Sequence, residues 1–227
     1  MGIKTMFKHL SRRIPIGHKY YNGPYHDGHA TYTYFPDGNQ NIFDGRFRFS
    51  SGHGGITLTA KGFFANDMKD GEWMMEKWSK QRIVTASANY SAGSLNGALV
   101  CEVEELMIGC SILWDVRVNI VDGMVTGDMT GTINGSELEG AFDEQGWPHG
   151  YWLLTTSDKY GEVINVECEV WLHGVLTDSW IEINHNKQKP TQAVGLFNRI
   201  KYMLQNDAQP LLDIIRHGVK DQHIRIG

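Results

Sequence analysis

Between residues 30 and 184 the chain alternates apolar and polar side chains in short runs, divided by Asp-Gly, Asn-Gly and Gly-Ser pairs. A period of two places successive side chains on opposite faces of a strand, and the dividing pairs are those that close hairpins. Ile112, Trp114, Val116, Val118 and Ile120 point one way, while Asp115, Arg117 and Asn119 point the other. The same alternation sets Val166, Cys168, Val170 and Leu172 against Glu167, Glu169 and His173, and predicts that these acids face solvent. Six hairpins are expected: 31–35 with 42–49, 56–65 with 71–78, 82–90 with 95–103, 111–121 with 124–133, 138–143 with 150–156, and 163–172 with 177–183. The fold class is therefore all-β, an antiparallel hairpin meander forming a single sheet, polar and largely acidic on one side.

A meander of about a dozen strands leaves a broad apolar face that water disfavours, so it must curl, close or be covered. Pro190 and Thr191 read as a helix start, followed by Val194, Phe197, Ile200 and Leu204 at near-helical spacing. A second short helix with Leu211, Leu212 and Ile215 is expected to end near Gly218. At the other end Ile3, Met6, Phe7, Leu10 and Ile14 form a comparable stripe, with Lys4, Lys8, Arg12 and Arg13 largely opposite. The expected organisation is a basic amphipathic segment over 1–19, a repeat domain over 20–184 and a helical cap over 190–218.

The hairpins repeat. Gly-Phe-Phe-Ala-Asn-Asp-Met-Lys-Asp-Gly-Glu-Trp at 62–73 recurs loosely as Gly-Ala-Phe-Asp-Glu-Gln-Gly-Trp-Pro-His-Gly-Tyr-Trp at 140–152. A glycine after Asp or Asn supplies positive φ for a tight turn, whereas one inside a strand lets an aromatic ring from the neighbouring hairpin lie across bare backbone. Gly28, Gly62, Gly71, Gly97, Gly127, Gly140 and Gly150 are expected to serve the repeat in these ways. With Tyr20-Tyr21-Asn22-Gly23, Phe63-Phe64-Ala65-Asn66, Asn96-Gly97, Val121-Asp122-Gly123 and His149-Gly150-Tyr151-Trp152, the pattern resembles the MORN repeat family, and more closely the bacterial MORN-variant repeats of antitoxin-like proteins. The spacing drifts, and Asp178 stands where that family has glycine. The resemblance implies a scaffold for protein contacts, sometimes for phospholipid head groups, with an antitoxin or immunity role among the possibilities. It implies no catalytic residues.

Charge sharpens this picture. The net charge of −5 divides into +5 over residues 1–25, −14 over 26–186 and +4 over 187–227, so basic ends flank an acidic body. Those ends either pack on that body or reach an anionic membrane surface. No apolar run approaches the roughly 20 residues that span a bilayer. Three cysteines without a C-x-x-C pair, and no uninterrupted apolar leader, point to reduced thiols and a cytoplasmic location.

Candidate chemistry is sparse. No nucleophile motif, phosphate loop or metal-ligand spacing is present; His26 and His29, with His18 nearby, lack a completing partner. No catalytic residue, cofactor or metal is expected. Glu104 with Glu105, Asp143 with Glu144, and Glu167 form carboxylate pairs that, with exposed tryptophans, would suit a carbohydrate-active or carbohydrate-binding protein as an alternative. Nucleic acid is disfavoured by 23 acids in the central stretch. The leading expectation is a non-enzymatic interaction scaffold whose acidic, aromatic face binds a basic protein partner through Glu72, Trp73, Glu167, Glu169 and Trp171. Edge pairing between copies is the expected route to any homo-oligomer.

Overall fold

A computed structural model describes residues 15–106, 111–190, 195–204 and 206. They form one antiparallel sheet of 14 strands in which spatial order equals chain order, so each strand pairs only with its sequence neighbours. The strands are β1 (Lys19–Tyr25), β2 (Gly28–Asp37), β3 (Gln40–His53), β4 (Ile56–Ala65), β5 (Met68–Trp78), β6 (Arg82–Ser91) and β7 (Ser94–Glu105). They continue as β8 (Ser111–Val121), β9 (Met124–Ile133), β10 (Ser136–Phe142), β11 (Gly150–Ser157), β12 (Val163–Leu172), β13 (Val175–Ile183) and β14 (Asn186–Gln188). One helix, α1 (Leu196–Met203), follows. Every expected hairpin is present, and two strands extend the meander: β1 ahead of it and the short β14 behind.

The turns explain why the strands fold back where they do. Asn66–Asp67, Ala92–Gly93, Asp122–Gly123, Asn134–Gly135, His173–Gly174 and Asn184–His185 each hold two successive residues at positive φ. That backbone matches the right-handed twist of the flanking strands, which is why such pairs close two-residue hairpins. A second device recurs inside the hairpins. The register slips by a bulge opposite Tyr32–Tyr34, Lys61–Phe63 and Ala88–Tyr90, where Gly45, Gly71 and Gly97 sit at positive φ, spaced 26 residues apart.

The core lies on one face of the sheet. Alternate residues of β8, Trp114, Val116, Val118 and Ile120, are buried, and the same face continues through Val103, Cys101, Ala86, Met75, Phe64, Phe47 and Ala30 on one side and Met129, Leu138 and Trp152 on the other. In the first five strands this face is filled by interlocking rings: Phe47 lies 5.8 Å from Trp73, and Phe43 stacks on Phe64 at 5.3 Å. Lys69 is buried among them, its ammonium 4.9 Å from the Trp73 ring and 4.7 Å from Tyr90.

The two copies of the sequence repeat have the same atomic form. A Cβ built on Gly62 would lie 2.2 Å from the Trp73 indole, and one on Gly140 would lie 2.7 Å from Trp152. Each indole N–H then donates to the carbonyl just after its glycine, Phe63 O at 3.0 Å and Ala141 O at 3.2 Å. The following phenylalanine meets each indole edge-on, Phe64 with Trp73 and Phe142 with Trp152. Of the other expected glycines, Gly28 sits where a side chain would strike Ser50 O, and Gly71, Gly97, Gly127 and Gly150 have positive φ.

Both edges are blunted. β14 is three residues long with Lys187 inside it and Lys189 just beyond, and β1 carries Pro24, which offers no amide hydrogen. The expected basic segment over 1–19 and second C-terminal helix fall almost wholly outside the described residues; of the former, Lys19 opens β1. No helix among the described residues is long and apolar enough to cross a membrane.

Candidate functional site

The structure gathers three of the five expected partner-binding residues, Glu167, Glu169 and Trp171, at one place, and that place is already filled. All three project from β12 on the core face, since Glu167 pairs with Leu154 and Glu169 with Trp152. The sequence expectation that these acids face solvent is thus reversed: Glu169 is 1% exposed, and the opposite face takes Cys168, also buried. The occupant is α1. Its N-cap, Gly195, is left-handed and has no side chain to satisfy the first amides. Glu169 does so from the sheet, accepting Leu196 N–H and Phe197 N–H at 3.0 Å each, while also accepting the Trp171 indole N–H at 3.1 Å. A carboxylate at a helix N-terminus also meets the positive end of the macrodipole.

Other contacts complete the dock. Arg199 donates to Glu167 in an ion pair. The Phe197 ring reaches Trp152 at 4.9 Å and Trp171 at 5.2 Å, and Leu196 and Ile200 are buried. The far end of α1 meets β8 and β9 through a crevice lined by Trp114, Val116, Ile133, Ile200, Met203 and Leu204, which has no space for even a water and no carboxylate in its wall. Three basic C-terminal residues meet the sheet: besides Arg199, Lys189 pairs with Asp178 at 3.3 Å and Lys187 lies 4.1 Å from the Trp180 ring, while Lys201 on α1 is exposed.

The remaining two expected contacts separate. Trp73 is 1% exposed, locked over Gly62, which corrects its reading as a partner contact. Glu72 points to the other face and is exposed, as alternation along β5 requires. Of the tryptophans that could stack on a sugar, Trp73, Trp114 and Trp152 are in the core, Trp171 and Trp180 are half-buried and Trp78 is exposed.

The face opposite α1 carries a different acidic feature. The register lines up Glu76, Thr85, Glu102, Asp115, Thr132 and Glu137 in one row across β5 to β10. Glu104 adds a second carboxylate two positions along β7. The Glu102 carboxyl is pushed above the ordinary carboxylate range by partial burial, then by a hydrogen bond with Glu104 and the charges of Glu104 and Asp115. Among the described residues no basic side chain pairs with Glu102, Glu104 or Asp115, and no element packs over the row; Asp115 is held by the Thr132 hydroxyl. Sequence reasoning assigned acids to this side but missed the row, because only the register shows which acids are neighbours.

A third cluster was also missed. Asp143 and His149 in the β10–β11 loop and His173 in the β12–β13 turn place one ligand atom each within 4.8 Å of one another. His173 Nδ1 lies 2.8 Å from Asp143 Oδ2, and the two imidazoles are 4.8 Å apart. The Asp143 carboxyl is drawn below its ordinary value chiefly by His173, with help from the amides of Trp147 and Gln145. The histidines weighed in the sequence lie elsewhere: His18 bonds Asp44, and this ligand group contains neither His26 nor His29.

No protein-family model matches this chain, and no curated protein matches its sequence.

Proposed function

We propose that the protein is a non-enzymatic interaction scaffold, MORN-like in its hairpin repeats, that binds a basic protein partner through the acidic row of its open face. The observation that carries this reading is the crowding of Glu102, Glu104 and Asp115 on adjacent strands without a basic partner among the described residues. Like charges held together cost free energy in the isolated chain, and a cationic partner relieves that cost on binding. An antitoxin-like or immunity-like role, in which the partner is a basic toxin, rests on the repeat resemblance alone. The Gly62–Trp73 and Gly140–Trp152 units support that resemblance.

The test is capture of the partner from the source cell, followed by titration calorimetry of the identified protein against wild type and E102Q/E104Q/D115N at low and high salt. The scaffold reading expects affinity to fall with salt, and to fall at least tenfold in the neutralised variant. Salt-independent binding, or equal affinity for the variant, overturns the acidic row as the binding surface.

A further inference from the structure

Two loops that are distant in sequence meet at the end of β10 to β13, and their contact is braced from several directions. Gly174 N–H donates to Pro148 O at 2.9 Å, tying the β12–β13 turn to the β10–β11 loop. His149 N–H donates to Ala141 O and Asp143 N–H to Trp147 O, each at 2.9 Å, so the loop is also closed on itself. The Trp147 ring lies over Gly174, where an added Cβ would meet it at 3.0 Å. The three side chains Asp143, His149 and His173 converge on this braced junction.

We propose that Asp143, His149 and His173 form a binding site for a divalent transition-metal ion, of which zinc is the physiological candidate. The donor set decides the class. Two imidazoles and one carboxylate suit Zn2+, Co2+, Ni2+ or Cu2+, whereas Ca2+ and Mg2+ require an all-oxygen shell. The carboxylate is already oriented: its Oδ1 accepts the amides of Gln145 and Trp147 at 2.9 Å each, which leaves Oδ2 turned toward His173. Such outer hydrogen bonds fix the direction of a ligand and raise metal affinity. Bonds of about 2.0–2.2 Å to a common ion require the three ligand atoms to close from their 4.8 Å span by roughly 1 to 1.5 Å. His173 can supply that movement, since its side chain is 65% exposed. Three protein ligands leave at least one position open to water or to a donor from another molecule.

The site would staple the last two hairpins, β10–β11 and β12–β13, which also carry the Glu169 dock for α1. An ion that binds only the folded chain raises its thermal midpoint.

Tag-free, full-length protein stripped with EDTA is titrated with Zn2+ by calorimetry and with Co2+ by visible absorption. Wild type is expected to bind one ion per chain, to develop the d–d bands of a nitrogen and oxygen ligand set, and to melt at higher temperature with zinc. Three variants, each matched to wild type by circular dichroism, test the ligands. D143N keeps the oxygen that accepts the two amides and loses the anionic ligand, H149A removes one imidazole, and H173N keeps a residue suited to the positive φ of the turn. Each is expected to lower affinity at least tenfold and to lose the thermal shift. No saturable binding in wild type overturns the proposal. So does binding undiminished in the H149A/H173N double variant, which would place the ion on other histidines.

Discussion

The carboxylate of Glu169 accepts the backbone N–H of Leu196 at 3.0 Å, joining a sheet residue to the first turn of a helix 27 positions later. Its other oxygen serves Phe197 and Trp171, so one buried side chain satisfies three donors. Removing it orphans all three in a site that water reaches poorly. E169A is therefore expected to destabilise the protein by about 3 kcal/mol in urea unfolding, and to free the α1 amides for hydrogen exchange while sheet amides stay protected. Removal of the neighbouring Arg199–Glu167 pair by E167A is expected to cost about 0–1 kcal/mol, because its arginine is half exposed. Equal effects from the two variants would show that α1 is not held by Glu169.

The paired glycines and tryptophans predict a second result. G62A and G140A each force a methyl group against the face of an indole, at 2.2 Å and 2.7 Å respectively. Overpacking of this kind costs about 1–3 kcal/mol, with G62A the more severe. Thermal unfolding followed by tryptophan fluorescence measures both. Wild-type stability in either variant would mean that the ring does not lie where the repeat places it.

Acid–base behaviour gives a third. The His18 imidazole is raised above its ordinary value of 6.5, first by its hydrogen bond with Asp44. A raised folded-state value means that the native chain binds the proton more tightly than the unfolded chain does. Its contribution to stability is therefore complete below pH 6.5 and is lost as pH rises through the higher folded value. H18N should remove that falling segment from the stability–pH curve just above pH 6.5 and leave the curve unchanged in shape elsewhere. A segment that survives in H18N would assign it to another group.

Thiol chemistry supplies a fourth. Burial pushes the Cys101 thiol up to about 12 and Cys168 up to about 11, so neither forms thiolate near neutrality. Peptide mapping after brief iodoacetamide treatment at pH 8 is expected to find both unlabelled in native protein and both labelled in urea. Native labelling of Cys168 would contradict its enclosure on the face opposite α1.

Local features were legible in the sequence and long-range compensation was not. The strands follow from alternation and the turns from residues that tolerate positive φ, both visible within a few positions. The Gly62–Trp73 contact was legible only in part: an in-strand glycine is expected to lie under a ring, but a ring from the neighbouring hairpin, and Trp73 reads from sequence as a partner contact, whereas it covers Gly62 within its own hairpin. The orientation of β12 was misread because alternation shows that Glu167 and Glu169 share a face but not which face it is. The donors that make the buried face tolerable, the Leu196 and Phe197 amides and Arg199, lie some thirty residues on. Asp143 reads from sequence as one of a carboxylate pair with Glu144, and its meeting with His149 and His173 was not legible, since only stacking of the hairpins brings the three together. Glu72 and Trp73 are neighbours in sequence and separated by the thickness of the sheet.

Two acidic surfaces therefore have different fates, one consumed by α1 and one left open, and the account turns on that difference. The most direct measurement is the affinity of the captured partner for two charge-reversal variants, E102K/E104K on the open face and E167K beside the helix. Binding is expected to collapse in the first and persist in the second. Full affinity in E102K/E104K with loss in E167K would place the partner at the helix dock and contradict the account.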